Sequence, residues 1–206
     1  MKGTRMSEAR KNPVEFDVPD CIERRWSPIA YSAEAVDAAT LAALFEAARW
    51  AASCFNEQPW RFVLARRDDA ERFGPMLDCL VPPNREWAQH AGALVIVCAM
   101  NEFGRNGKPN PHAWFDSGQA TTQLMLTAVH HGLHCRAMGG FDAQKARELL
   151  QIPEQADPVC AVAIGRLDDG SRLEAGVAAR DQAVRDRHSL DEIVFEGSFG
   201  SSAKLG

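Results

Sequence analysis

Ser53, Asn56 and Gln58 form a short polar cluster between an apolar helical stretch and an apolar strand. Before it, Leu41, Leu44, Phe45 and Ala48 recur at helical spacing; after it, Phe62-Val63-Leu64-Ala65 reads as a buried strand. A loop fixed between two rigid elements is where binding groups concentrate, and hydroxyl and amide side chains both donate and accept hydrogen bonds. The cluster therefore suits a ligand whose edge alternates donors and acceptors. From residue types alone it is a polar ligand loop and nothing more specific.

The elements that must hold this loop follow from periodicity and punctuation. Asp37 is placed to cap a helix running to Ala52, and a strand over Arg61 to Arg66 follows the loop. Upstream, a short helix around Val18 to Arg25 precedes a Trp26-Ser27-Pro28 turn. Downstream, Asp69 to Cys79 shows a helical face, Pro82-Pro83-Asn84 makes a turn, and Ala93 to Ala99 is a continuous apolar strand buried on both sides. The stretch Asn101 to Pro111, rich in Gly, Asn and Pro, reads as a surface loop; its Gly104-x-x-Gly107-Lys108 has the wrong spacing for a phosphate loop. His112 to His131 is apolar nearly all round and reads as a helix in the middle of the core, ended by Gly132. A strand over Cys135 to Met138, a helix over Ala143 to Leu150 and a strand over Val159 to Ile164 complete the pattern.

These elements predict an α+β class with a mixed central sheet surrounded by helices. No Gly-x-Gly-x-x-Gly follows a strand, which excludes a Rossmann reading. Residues 1–14 carry charge without periodicity and are expected to form a flexible arm, leaving 15–206 as a single domain. With 206 residues and 46% hydrophobic content the chain can bury one sizeable core. A formal net charge of -5, with basic residues in no run longer than a pair such as Arg66-Arg67, argues against nucleic acid as a partner. Six widely spaced cysteines without a Cys-x-x-Cys suggest neither zinc nor a redox dithiol and fit a reducing cytoplasm. His130, His131 and His134 cluster at a helix end without a completing carboxylate or cysteine, so they read as dipole partners rather than metal ligands. The charged first sixteen residues exclude a signal peptide, and Ala91 to Met100 is too short to span a bilayer.

The block Ser53-Cys54-Phe55-Asn56-Glu57-Gln58-Pro59-Trp60 after an Ala-rich helix resembles the Ser-x-x-Asn-x-Gln-Pro-Trp pattern of the FMN-dependent nitroreductase family. A second block, Arg24 to Ser32, is similar to that family's amino-terminal Arg-x-Ser-x-Arg-Ala-Phe motif at the usual distance upstream. Asn84-Arg85-Glu86-Trp87-Ala88, Met138-Gly139-Gly140-Phe141-Asp142 and Arg185-Asp186-Arg187 follow in order, so the resemblance runs from Asp20 to Gly200.

The resemblance implies an intertwined homodimer with FMN sites at the subunit interface. Arg25, Arg185 and Arg187 would hold the FMN phosphate, since guanidinium donors pair with phosphate geometry, although by residue type alone each is a solvated charge. Trp26 and Ser27 belong to the same cofactor block. Asn84 matches an asparagine that pairs with the pyrimidine edge, and equally suits a turn after two prolines. Gly139 and Gly140 permit close backbone approach, where the family sets an amide against flavin N5. Ser53 and Asn56 would reach FMN from the neighbouring subunit. Cys54 stands where relatives often carry serine; its residue type suits a small buried hydrophobe better than a reactive thiol. Phe103 and Trp114 are candidates for stacking on a planar substrate. Ile29 departs from the pattern by replacing the basic residue, which implies a lower flavin potential, transfer of that role to another group, or a changed substrate.

By resemblance the activity is ping-pong transfer of hydride from NADH or NADPH through FMN to nitroaromatic, quinone or similar planar acceptors, with no catalytic side chain required. The rivals are a flavin-binding protein without nicotinamide turnover, and another flavin reaction on the same fold, such as dehalogenation or enone oxidation.

Overall fold

In the computed structural model, which describes residues 11–205, the first helix is α1 (Asp20–Arg24), followed by α2 (Ala38–Arg49). Asp37 caps α2 as its side chain accepts a hydrogen bond from Thr40 N–H at 2.8 Å. A single 3-10 turn at Cys54–Asn56 leads into β1 (Trp60–Arg66). Then come α3 (Ala70–Asp78), α4 (Pro82–Ala88), β2 (Ala93–Met100), α5 (Ala113–His130), β3 (His134–Met138), α6 (Ala143–Leu150), β4 (Ala156–Gly165), α7 (Ala175–Gln182) and α8 (Leu190–Ile193).

The strands form one sheet in the order β1-β2-β4-β3. Alternation along β2 divides the core into two layers. Leu94, Ile96 and Cys98 face Phe73 and Met76 of α3, Trp87 and Ala88 of α4, and Ala146 of α6. Ala93, Val95 and Val97 face Leu41, Leu44 and Ala48 of α2 and Ala120, Leu124 and Ala128 of α5. An apolar run without alternation is thus a strand covered on both faces, as expected for Ala93 to Ala99.

The α+β class holds, and the structure corrects four details. The expected mixed sheet is wholly antiparallel among the described residues: α5 carries the chain from β2 past one strand position to β3, which runs the same way as β2, and β4 fills the gap between them antiparallel to both. The expected turn at Pro82-Pro83-Asn84 is the first turn of α4, where prolines lose no hydrogen bond because the first N–H groups of a helix have no internal acceptor. The helix expected to reach Ala52 stops at Arg49, with Trp50 as its C-cap. The helix expected to be apolar all round has an exposed start, since Phe115 is 71% accessible. Helices α7 and α8 are additional; a capping box between Ser189 and Glu192 opens α8.

Residues 1–10 of the expected flexible arm lie outside the described residues. Asn12 at its end donates from Nδ2 to the carbonyls of Ile22 at 2.9 Å and Arg25 at 2.8 Å. Among the described residues no helix is long and apolar enough to cross a membrane.

Burial pushes the thiols of Cys98 and Cys160 up to about 11, and that of Cys135 further. At pH 8 a thiol with such a value is about one-thousandth thiolate. Alkylation of the native chain is therefore expected to spare Cys98, Cys135 and Cys160 while the unfolded chain reacts at all three, as peptide mass spectrometry would report.

Candidate active site

Arg25 lies within electrostatic reach of two arginines from the other end of the chain, Arg185 and Arg187. Arg25 is the C-cap of α1, half-buried, with Nη1 donating to Ser27 Oγ at 3.3 Å. Arg185 and Arg187 lie in the non-helical segment after α7. Burial disfavours the charge on Arg25 most, followed by repulsion from Arg187 and then Arg185, so its pKa falls below the ordinary arginine value. Among the described residues no carboxylate lies within ion-pair distance of any of the three. Neighbouring guanidinium groups without an internal ion-pair partner among the described residues suit a multiply charged anion. Asp181 on α7 positions this end: buried, it accepts the Ile29 N–H at 3.1 Å and so ties the carboxy-terminal segment to the Arg25–Ser27 stretch.

Asn84 and Gly140 also meet. Asn84 Nδ2 donates to Gly140 O at 2.9 Å, and Val81 N–H donates to the same carbonyl at 3.2 Å. A Cβ on Gly140 would stand 2.7 Å from Asn84 Nδ2, so the glycine is needed for this contact within the chain. A Cβ on Gly139 would meet nothing within 4 Å, which leaves its backbone approachable.

The Ser53–Gln58 loop is strained. Phe55, Asn56 and Gln58 have φ of 53°, 58° and 52°, in the left-handed region that non-glycine residues rarely occupy. Such strain persists only where the surroundings impose it, and it concentrates at ligand clamps. Ser53 Oγ accepts from Gln58 N–H at 3.0 Å, Gln58 Nε2 donates to Asn56 O at 3.1 Å, and buried Asp116 of α5 accepts from Cys54 N–H at 3.0 Å. Replacing Asp116 with alanine leaves the Cys54 N–H without its acceptor and should cost about 1–3 kcal/mol. Calorimetry should show the fall in Tm, and limited proteolysis should cut first within residues 53–58.

Among the described residues no hydrogen bond joins this loop to the Arg25 group or to Asn84. The remaining expected contacts are distributed as follows. Trp26 is buried edge-on against His134, with ring centroids 5.9 Å apart, so its ring serves packing. Phe103 is buried beneath Phe55 and Arg105, whereas Trp114 is exposed. His130 and His131 pack ring to ring, while His134 lies away in the core. A groove of about 230 Å³ lined by Val63, Ala65, Pro75, Met76 and Leu150 includes none of the expected site residues.

Asp116, Asp181 and Arg136 escape sequence reasoning. Asp116 left a signal, being the single carboxylate in the apolar run 112–131. Asp181 and Arg136 left none, since their partners are remote in sequence.

A nitroreductase family model matches residues 22–166, and the chain belongs to the nitroreductase family. An uncharacterised 15.4 kDa protein from the 5′ region of ask in Mycolicibacterium smegmatis is 31% identical over 147 residues, spanning 68% of this chain and 98% of that one. A protein of Archaeoglobus fulgidus, named as a proposed NADH dehydrogenase/NAD(P)H nitroreductase, is 29% identical over 155 residues, or 70% of this chain and 82% of that one. The crystal structure of an oxidoreductase containing FMN superposes with a TM-score of 0.87 at 32% identity, covering 93% of this chain and 97% of that chain.

Proposed function

We propose that this chain is a homodimeric FMN-dependent oxidoreductase that draws on NADH or NADPH and reduces nitroaromatic, quinone or similar planar acceptors. What carries the reading is that Arg25 feels the charge of Arg185 and Arg187 while, among the described residues, none of the three has an ion-pair partner. They would grip the FMN phosphate, with Ser27 beside them as hydroxyl partner. Asn84 would present its amide to the pyrimidine edge, and the open backbone of Gly139 would let the ring system lie close to the Gly139-Gly140 turn. When bound, FMN would accept hydride from the nicotinamide and pass electrons on, which supplies the redox chemistry.

The residues of the chain bind, orient and exclude water; none is required as acid, base or nucleophile. Ser53 and Asn56 sit on a strained loop that, among the described residues, makes no hydrogen bond to the other expected contacts, as suits groups serving the site of a second copy. Exposed aromatics support such a copy: Trp50 is 71% accessible and Phe55 70%, with Phe115 equally bare at the start of α5. Side chains of this size left in water mark surfaces that are covered in the assembly. Trp114 is the exposed candidate for stacking on acceptors. Six free cysteines accord with a cytoplasmic location.

Steady-state kinetics with each nicotinamide against a quinone and a nitroaromatic tests the activity. Parallel double-reciprocal lines are expected, because reduced cofactor links two separate half-reactions. Bound FMN that neither nicotinamide reduces would sink the reductase reading in favour of a binding protein.

A further inference from the structure

Arg136 of β3 is a half-buried cation with no carboxylate within ion-pair distance among the described residues. One of its five donors is spent: Nη1 donates to the backbone carbonyl of Ser27 at 2.6 Å. Its guanidinium carbon lies 5.4 Å from the centroid of the Trp87 ring, one turn along α4 from Asn84. Trp87 is itself buried and stacked against Tyr31, so the guanidinium rests on a fixed plane. Three residues further on, the same strand leads into the Gly139-Gly140 turn, where Asn84 bonds Gly140 O. Arg136 therefore touches or adjoins Ser27, the Asn84 helix and the glycine turn at once.

We infer that Arg136 is the cation that favours reduced over oxidised FMN in this site, a specificity for redox state that rests on the FMN reading above. Reduction adds negative charge to the ring system, whereas the oxidised ring is neutral, so a fixed guanidinium nearby stabilises one state more than the other. Ile29 brings no charge to this edge, and its N–H is turned to Asp181. The phosphate-side arginines cannot make this distinction, because phosphate charge is the same in both states. Arg136 is held by a backbone carbonyl and an aromatic face, both neutral, so among the described residues its positive charge has no ion-pair partner.

The test uses the full chain reconstituted with FMN, comparing the parent with Arg136→Gln and Arg136→Lys. Affinity for oxidised FMN is measured by fluorescence quenching and midpoint potential by dye-coupled titration. Arg136→Gln is expected to bind oxidised FMN within about threefold of the parent, while the preference for reduced FMN falls about tenfold, equivalent to about 30 mV lower for a two-electron couple. Arg136→Lys is expected to keep most of the parental potential. Arg136→Met, which matches the side chain in length, replaces Arg136→Gln if that variant does not fold. An unchanged potential in the uncharged variant, or equal loss of both redox states, would overturn the inference while leaving the FMN reading intact. A parent that holds no FMN would overturn both.

Discussion

A chain carrying alanine at both 185 and 187 is expected to fold normally and to lose its flavin. Two charge-assisted contacts to a phosphate contribute about 1.5–3 kcal/mol each. Their joint removal should weaken FMN binding by two to four orders of magnitude, at about 1.4 kcal/mol per decade. Stability without cofactor should move the other way. Arg25 is held below its ordinary pKa by burial and by these two neighbours, so its charge costs stability at every pH below the folded-state value, neutral pH included. Removing Arg185 and Arg187 relieves part of that repulsion, and the Tm of the flavin-free variant should equal or exceed that of the flavin-free parent. Titration with FMN and a thermal melt separate the two effects: full flavin occupancy would refute the phosphate role, and a large fall in Tm would show the arginines to be structural.

Gly92→Ala is expected to be the most damaging single methyl group in the region that supports the site. Gly92 joins α4 to β2, where its N–H donates to Ile164 O at 2.8 Å and its carbonyl accepts from Arg67 N–H at 3.1 Å. An added Cβ would lie 2.4 Å from the carbonyl oxygen of Glu34 and 2.8 Å from Val36 Cγ2. The first of these is backbone, so relief requires the 34–36 segment to shift away from the start of β2. Overpacking of this kind costs about 3 kcal/mol at the upper end of its usual range, which lowers the Tm of a chain of this size by roughly 6–12 °C. Because α4 carries Asn84 and Trp87, FMN affinity should fall as well. Calorimetry on the purified variant checks the first effect; an unchanged Tm would mean that the 34–36 segment yields freely.

Elements with strong local signals were predictable from the chain. The limits of α6, Ala143 to Leu150, match because its apolar face and Asp142 cap are adjacent in sequence. β2 could be read because an unbroken apolar run has one common explanation when both faces are covered. The start of α4 misled because two prolines mark a turn as readily as a first helical turn. The strained loop was visible as a polar cluster, but the left-handed backbone at Phe55, Asn56 and Gln58 was not, since none is glycine. The arginines show the limit most clearly: in sequence they are three ordinary charges, and only the fold of α7 against the Ile29 segment brings them together. Arg136 required the structure outright, because a lone cation in a short strand does not show which carbonyl and which ring it will meet.

The visible absorbance spectrum of the full chain, taken after reconstitution with FMN and again after anaerobic addition of NADH and then NADPH, tests the central claim most directly. A yellow protein holding one flavin per chain that bleaches with at least one nicotinamide is expected. A protein that stays colourless in excess FMN would contradict it.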